Sequence, residues 1–150
     1  MPVMKAVLPI VVQIEALVRS ASPLQVDEVV ADLAETAIAH TSEHKVETTA
    51  ISAREERRMA DVLRHIETFA SEPLDLAALS AIAGVSRYHF LRIFRRSTGM
   101  TPYQYLLSLR MRRAAVQLQT TTVPVSAIAF DAGFGDLSTF NKQFRAVFGA

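Results

Sequence analysis

A chain of 150 residues, half of them hydrophobic, is long and apolar enough for one domain with a packed core, or one domain and an appendage, and too apolar for a disordered chain. It contains no cysteine, which excludes a disulfide framework, a thiolate zinc site and a thiol nucleophile. The net charge of +1 hides a division: residues 1–72 carry 7 Lys or Arg against 12 Asp or Glu, a net −5, whereas residues 73–150 carry 9 against 3, a net +6.

Taken in chain order, the elements read as helices throughout. There is no Asn-Gly or Asp-Gly hairpin turn and no long alternating run, so the expected class is all-α. The apolar stretch "AVLPIVVQIEALV" is broken by Gln13 and Glu15 and is shorter than the ~20 residues of a membrane span. It also lacks a cleavage site, so neither export nor a membrane partner is expected and the cytoplasm is the default location. A first helix is predicted from about Lys5 to Arg19, with Val7, Val11, Ile14 and Val18 on one face. Ser22, Pro23 and Gln25 then form a capping-box pattern that opens a second helix, running to about His40. Val26, Val29, Val30, Leu33 and Ala37 share its stripe. Two such helices make a hairpin over residues 1–40 that cannot bury both stripes alone. Pairing with a second copy through Val7, Val11, Ile14, Val18, Val29, Val30 and Leu33 is therefore expected.

Residues 41–53 are polar and read as a linker. A helix follows from Arg54 to about Ala70, with Met59, Val62, Leu63, Ile66 and Phe69 inward, and Pro73 stops it.

The basic half contains a repeat. Leu76, Ala78, Leu79, Ala83 and Gly84 match Val125, Ala127, Ile128, Ala132 and Gly133 at an offset of 49. Beyond the glycine the offset is 50, pairing Phe90 with Phe140, Arg92 with Lys142, Phe94 with Phe144, Arg95 with Arg145 and Gly99 with Gly149. Each copy reads helix, glycine turn, helix, the second turn being one residue longer. That is a helix-turn-helix written twice. Between the copies, Thr101, Pro102 and Gln104 open a helix of about 20 residues and ~30 Å, close to the ~34 Å advance of one turn of B-DNA.

The segment "GVSRYHFLRIFRRSTG", residues 84–99, holds Arg87, His89, Arg92, Arg95 and Arg96 and no acid. Projected at 100° per residue, Phe90, Ile93, Phe94 and Ser97 fall on one side. Tyr88, Leu91, Arg92, Arg95 and Arg96 fall on the other. In the second copy Phe140, Gln143, Phe144 and Val147 face inward. Ser138, Asn141, Lys142 and Arg145 face outward, with Leu137 at the helix start. Such faces suit DNA. Arg92 can grip guanine, while Tyr88 and Leu91 can meet thymine methyls. Arg95, Arg96 and Arg145 suit phosphates, and Ser138, Asn141 and Lys142 can donate to bases or phosphates. A solvated cationic face would explain one such helix, but matching positions on two helices favour double-stranded DNA. Arg110, Arg112 and Arg113 are ambiguous between phosphate contact and pairing with Asp131 or Asp136.

The motifs "AGVS…F…F…TG.TP..Y", "R…A…L" and "IA…GF.D.S.F…F" resemble the DNA-binding domain of the AraC/XylS family of bacterial transcription regulators, over about residues 57–149. The resemblance implies a domain at 54–150 in which two helix-turn-helix units are joined by a long helix. It implies groove contacts at Tyr88, Leu91, Arg92, Leu137, Ser138 and Lys142. Phosphate contacts are assigned to Arg95, Arg96, Asn141 and Arg145. Promoter DNA and RNA polymerase are the partners implied, with no cofactor. The family's domain usually continues past the final "FG", so a fraying last helix is expected at Ala150. Members usually carry a β-rich effector-binding domain; residues 1–53 are too few and too helical for one, and resemble the dimerising hairpin that often closes it.

Two other function classes compete. "HTSEH" places His40 and His44 one turn apart around Glu43, a spacing found in one metalloprotease group. That chemistry needs a downstream carboxylate ligand, and no glutamate follows Glu72. No Gly-rich phosphate loop is present either, so no enzyme is expected. The other reading is a sensor-less interaction module that pairs with a full-length relative and modulates it.

Overall fold

The structure, a computed structural model, describes residues 22–41 and 51–149. The first arm of the expected hairpin, with Val7, Val11, Ile14 and Val18, lies outside these residues, as do His44 and Glu43 of "HTSEH". Among the described residues the chain forms helices and no strand: α1 Pro23–Thr41, α2 Ala53–Thr68, α3 Leu76–Ala83, α4 Arg87–Thr98, α5 Pro102–Thr120, α6 Val125–Asp131 and α7 Leu137–Phe148.

The boundaries follow from local chemistry. Ser52 opens α2 through a capping box, its hydroxyl accepting from the Glu55 amide at 3.2 Å while the Glu55 carboxylate accepts from the Ser52 amide at 3.0 Å. Thr101 and Gln104 repeat the device at α5, with Pro102 in the first turn. Asp75 caps α3 by accepting from the Ala78 amide at 2.7 Å. At the turn between α3 and α4, Gly84 has φ of 68°, and a Cβ there would run into the guanidinium of Arg58. Arg58 itself donates to the Ala83 carbonyl at 2.9 Å, sealing α2 against the turn. The matching Gly133 has φ of 103°. Two residues lie between Gly133 and the capping Asp136, against one between Gly84 and Ser86, which is the extra residue the repeat predicts.

Two cores result. The first gathers Met59, Val62 and Ile66 of α2, Leu76 and Leu79 of α3, Phe90, Ile93 and Phe94 of α4, and Leu106 of α5. The second gathers Met111 and Ala114 of α5, Ile128 and Ala129 of α6, Phe134 of the turn, and Phe140 of α7. The 19-residue α5 thus feeds one core from its first half and the other from its second. Phe69 departs from its expected inward position: it is exposed, its ring lying 4.7 Å from that of His65. Val116 of α5 is exposed as well.

The helix α1 packs on α3 and α5. Its buried hydrophobic residues are Leu24 and Ala31, and Glu28 is buried beside them. The projected stripe is not the packed face. Val30 is exposed and Val26, Val29 and Leu33 are only partly covered. The domain-facing side is mixed instead: Leu24 and Ala31 join the first core, while Asp27, Glu28 and Asp32 beside them meet two amide N–H groups and a guanidinium.

Candidate nucleic-acid interface

The helix α4 is built to present its outer face rigidly. Ser86 caps it, accepting from the His89 amide at 3.2 Å. Phe90 and Phe94 are fully buried, with ring centroids 5.7 Å apart, and Phe94 meets the Tyr105 ring edge-on at 5.9 Å. This leaves Tyr88, Arg92 and Arg96 exposed, with Arg87 at the helix start. His89 Nε2 lies 3.1 Å from Glu55 Oε1 and ties α4 to α2. The Ser52 amide and His89 together hold the Glu55 carboxyl below its ordinary value.

One assignment is corrected. Leu91 is 4% exposed and belongs to the first core, so it does not offer its side chain to a groove. Projection placed it outward because it took the inward face as the narrow arc from Ile93 to Phe94. The core around α4 is wider and reaches Leu91, about 60° beyond Phe94. Arg95 is also not freely presented: its Nη2 lies 2.9 Å from Asp32 Oδ1 of α1.

The helix α7 repeats the design. Asp136 accepts from the Thr139 amide at 2.6 Å through Oδ1 and from the Thr139 hydroxyl at 2.8 Å through Oδ2. These bonds hold the Asp136 carboxyl below its ordinary value. Phe140 is buried, 5.3 Å from Phe134 in an edge-on pair and 5.7 Å from Phe144. Leu137, Ser138, Asn141, Lys142 and Arg145 are exposed. Gln143 and Phe144 are partly buried as expected, whereas Val147 is exposed.

Two short helices, each pinned by buried phenylalanines and each offering polar and cationic side chains, are joined through one rod. A family model described as a helix-turn-helix domain matches residues 79–150. The regulatory protein SoxS of Escherichia coli K12 is 33% identical over 88 residues, which cover 59% of this chain and 82% of SoxS. A transcriptional regulator from Chromobacterium violaceum, described as AraC-type, superposes with a TM-score of 0.59 at 28% identity, covering 66% of this chain and 88% of the other. The chain belongs to the AraC family of transcription regulators. The DNA-binding domain of AdpA, solved with a target DNA, superposes with a TM-score of 0.59 at 31% identity over 62% of this chain and 84% of that domain. The right origin-binding protein of E. coli K12 shares 33% identity over 88 residues, only 30% of its own length.

Within this AraC-type frame, neither role that the sequence left open for Arg110 is the one the structure shows. Arg110 is 5% exposed and pairs with neither Asp131 nor Asp136. Its Nε donates to the Ala70 carbonyl at 2.6 Å and its Nη2 to the Glu72 carbonyl at 3.1 Å, while the guanidinium lies 5.9 Å from the Phe134 ring centroid. Burial lowers its pKa from the ordinary arginine value. Arg110 therefore joins the end of α2 to the turn of the second unit. Arg113 donates to the Glu67 carbonyl at 2.7 Å in the same neighbourhood. Among the described residues no group of three His, Cys, Asp or Glu is arranged to hold a metal. No helix there is long and apolar enough to cross a membrane.

Proposed function

We propose that this DNA-binding transcription regulator places α4 and α7 in successive major grooves on one face of a double-stranded promoter site. In this reading Tyr88 and Arg92 read bases through α4, and Leu137, Ser138 and Lys142 read them through α7. Arg96, Asn141 and Arg145 hold phosphates, joined by Arg95 once it leaves Asp32. The observation that carries it is the shared construction: on both helices a buried phenylalanine face leaves base-competent side chains exposed. The partner DNA places the chain in the bacterial cytoplasm, where RNA polymerase is the further partner a promoter-bound regulator would meet.

Binding of the full chain to duplexes it selects from a random pool tests this. Engagement of about five phosphates gives a log–log salt slope near −4 to −5. Arg92→Ala should relax sequence preference, by about 1–3 kcal/mol at the base it reads, whereas Arg145→Ala should weaken all duplexes alike. A flat salt response with no sequence preference would count against groove reading.

The alternative, a module that pairs with its own copy or with a longer relative and modulates it, is favoured by one observation. The Val26, Val29, Val30 and Leu33 side of α1 is turned away from α3 and α5, with Val30 54% exposed. Sedimentation of the full chain separates the readings. A concentration-dependent dimer lost on Val30→Glu with Leu33→Glu supports pairing through this stripe.

A further inference from the structure

The helix α1 carries Asp27, Glu28, Asp32 and Glu35 and no Lys or Arg. Three of these four acids engage the remainder of the protein. Asp27 Oδ2 accepts from the Leu76 amide at the start of α3, at 3.1 Å. Glu28 Oε1 accepts from the Tyr103 amide at the start of α5, at 2.6 Å, and Thr101 adds a side-chain hydrogen bond. Asp32 takes the guanidinium of Arg95 on α4. Helix-start amides and an arginine fork are the groups that also receive phosphate oxygens. The carboxylates of α1 thus stand where a polyanion would find its partners.

We propose that α1 is an acidic clasp that competes with the DNA backbone for the first helix-turn-helix unit and lowers its affinity until DNA or a partner displaces it. The proposal rests on α4 meeting DNA, and adds what holds α4 back. Arg95 follows Arg92 by three residues and Tyr88 by seven, so all three border one side of α4. Asp32 sits on that border, and with Asp27, Glu28 and Glu35 it sets four negative charges beside an approaching phosphate chain. The charged contact of the clasp is exchangeable. Leu24 and Ala31 are its buried hydrophobic residues, and the Asp32–Arg95 pair is open to solvent on both sides, with 51% and 38% of the side chains exposed. Exposed pairs of this kind are screened by salt and readily exchanged. The helix also lies outside the residues matched by the family model, which begin at 79.

The test uses the full chain and duplexes it selects from a random pool. Asp27→Asn with Asp32→Asn keeps both acceptor oxygens but removes the charges. Glu56→Gln on α2, exposed and off the clasp, controls for the change in net charge. The double variant should bind its duplex about 5- to 50-fold more tightly than the native chain, and Glu56→Gln should move affinity far less. Because the chain lacks cysteine, Glu35→Cys with Gln117→Cys gives a specifically labelled pair, and the distance between the labels should lengthen on adding duplex. Native-like affinity in the double variant, equal tightening in Glu56→Gln, or an unchanged label distance on bound DNA would overturn the clasp. Loss of all Arg92-dependent binding in every variant would instead overturn the reading of α4, and the clasp with it.

Discussion

Ser86 and Asp136 fix the first turns of α4 and α7, and each acts through a single side chain on an amide three residues ahead. Ser86→Ala should cost about 1 kcal/mol of stability in urea denaturation, the usual effect of losing such a cap. The acidic limb of stability is set by groups of opposite sign. Asp136 and Glu55 titrate below their ordinary values of 3.8 and 4.5, so their stabilisation is present above those values and lost as pH falls through the lower folded ones. Glu28 titrates above 4.5 because burial outweighs its bonds to Tyr103 and Thr101. Folding therefore disfavours its ionised form, a penalty absent below pH 4.5 and complete once pH has risen past the folded value. Glu28→Gln keeps an acceptor for the Tyr103 amide, so at pH 7 the variant should be at least as stable as the native chain. That margin should shrink as pH falls toward 4.5, read by denaturation across the range. The capping residues Asp75, Ser86 and Thr101 are legible in sequence because a cap and its amide are neighbours. Leu91 is not, since the width of a core depends on what packs against it.

At the scale of elements, α5 and its Arg110 decide how the two units sit on one rod. Arg110→Met removes two bonds from a charged donor and leaves the Ala70 and Glu72 carbonyls without it, at a cost of about 2–3 kcal/mol. Gly133→Ala attacks the same joint from the other side. A Cβ there would stand 2.9 Å from the Arg110 guanidinium carbon and 3.0 Å from the Ser71 carbonyl oxygen, on a backbone with φ of 103°. Both variants should lower the denaturation midpoint, and a milder effect in Arg110→Lys would show that charge alone suffices. The helices from α2 onward were legible because caps, apolar spacing and the repeat agree with one another. The orientation of α1 was not. Its stripe of valines points to a partner, but the groups that hold it, Leu76, Arg95 and Tyr103, lie 49 to 75 residues away. No local pattern announces contacts at that separation.

Across the whole molecule, the acidic and basic halves separated by charge counting turn out to touch, through Asp32 on Arg95 and Glu55 beside His89. The same polarity that recommends the basic half for DNA also binds it to the acidic half, so affinity for DNA is a difference between two sets of anions. The exposed faces of α4 and α7 remain the features that most constrain function. Hydroxyl-radical footprinting of the full chain on a selected duplex is the most direct test of their joint use. Two protected patches on one face of the duplex, about 10 base pairs apart, are the predicted result. A single patch, or two on opposite faces, would contradict the insertion of both helices into successive grooves.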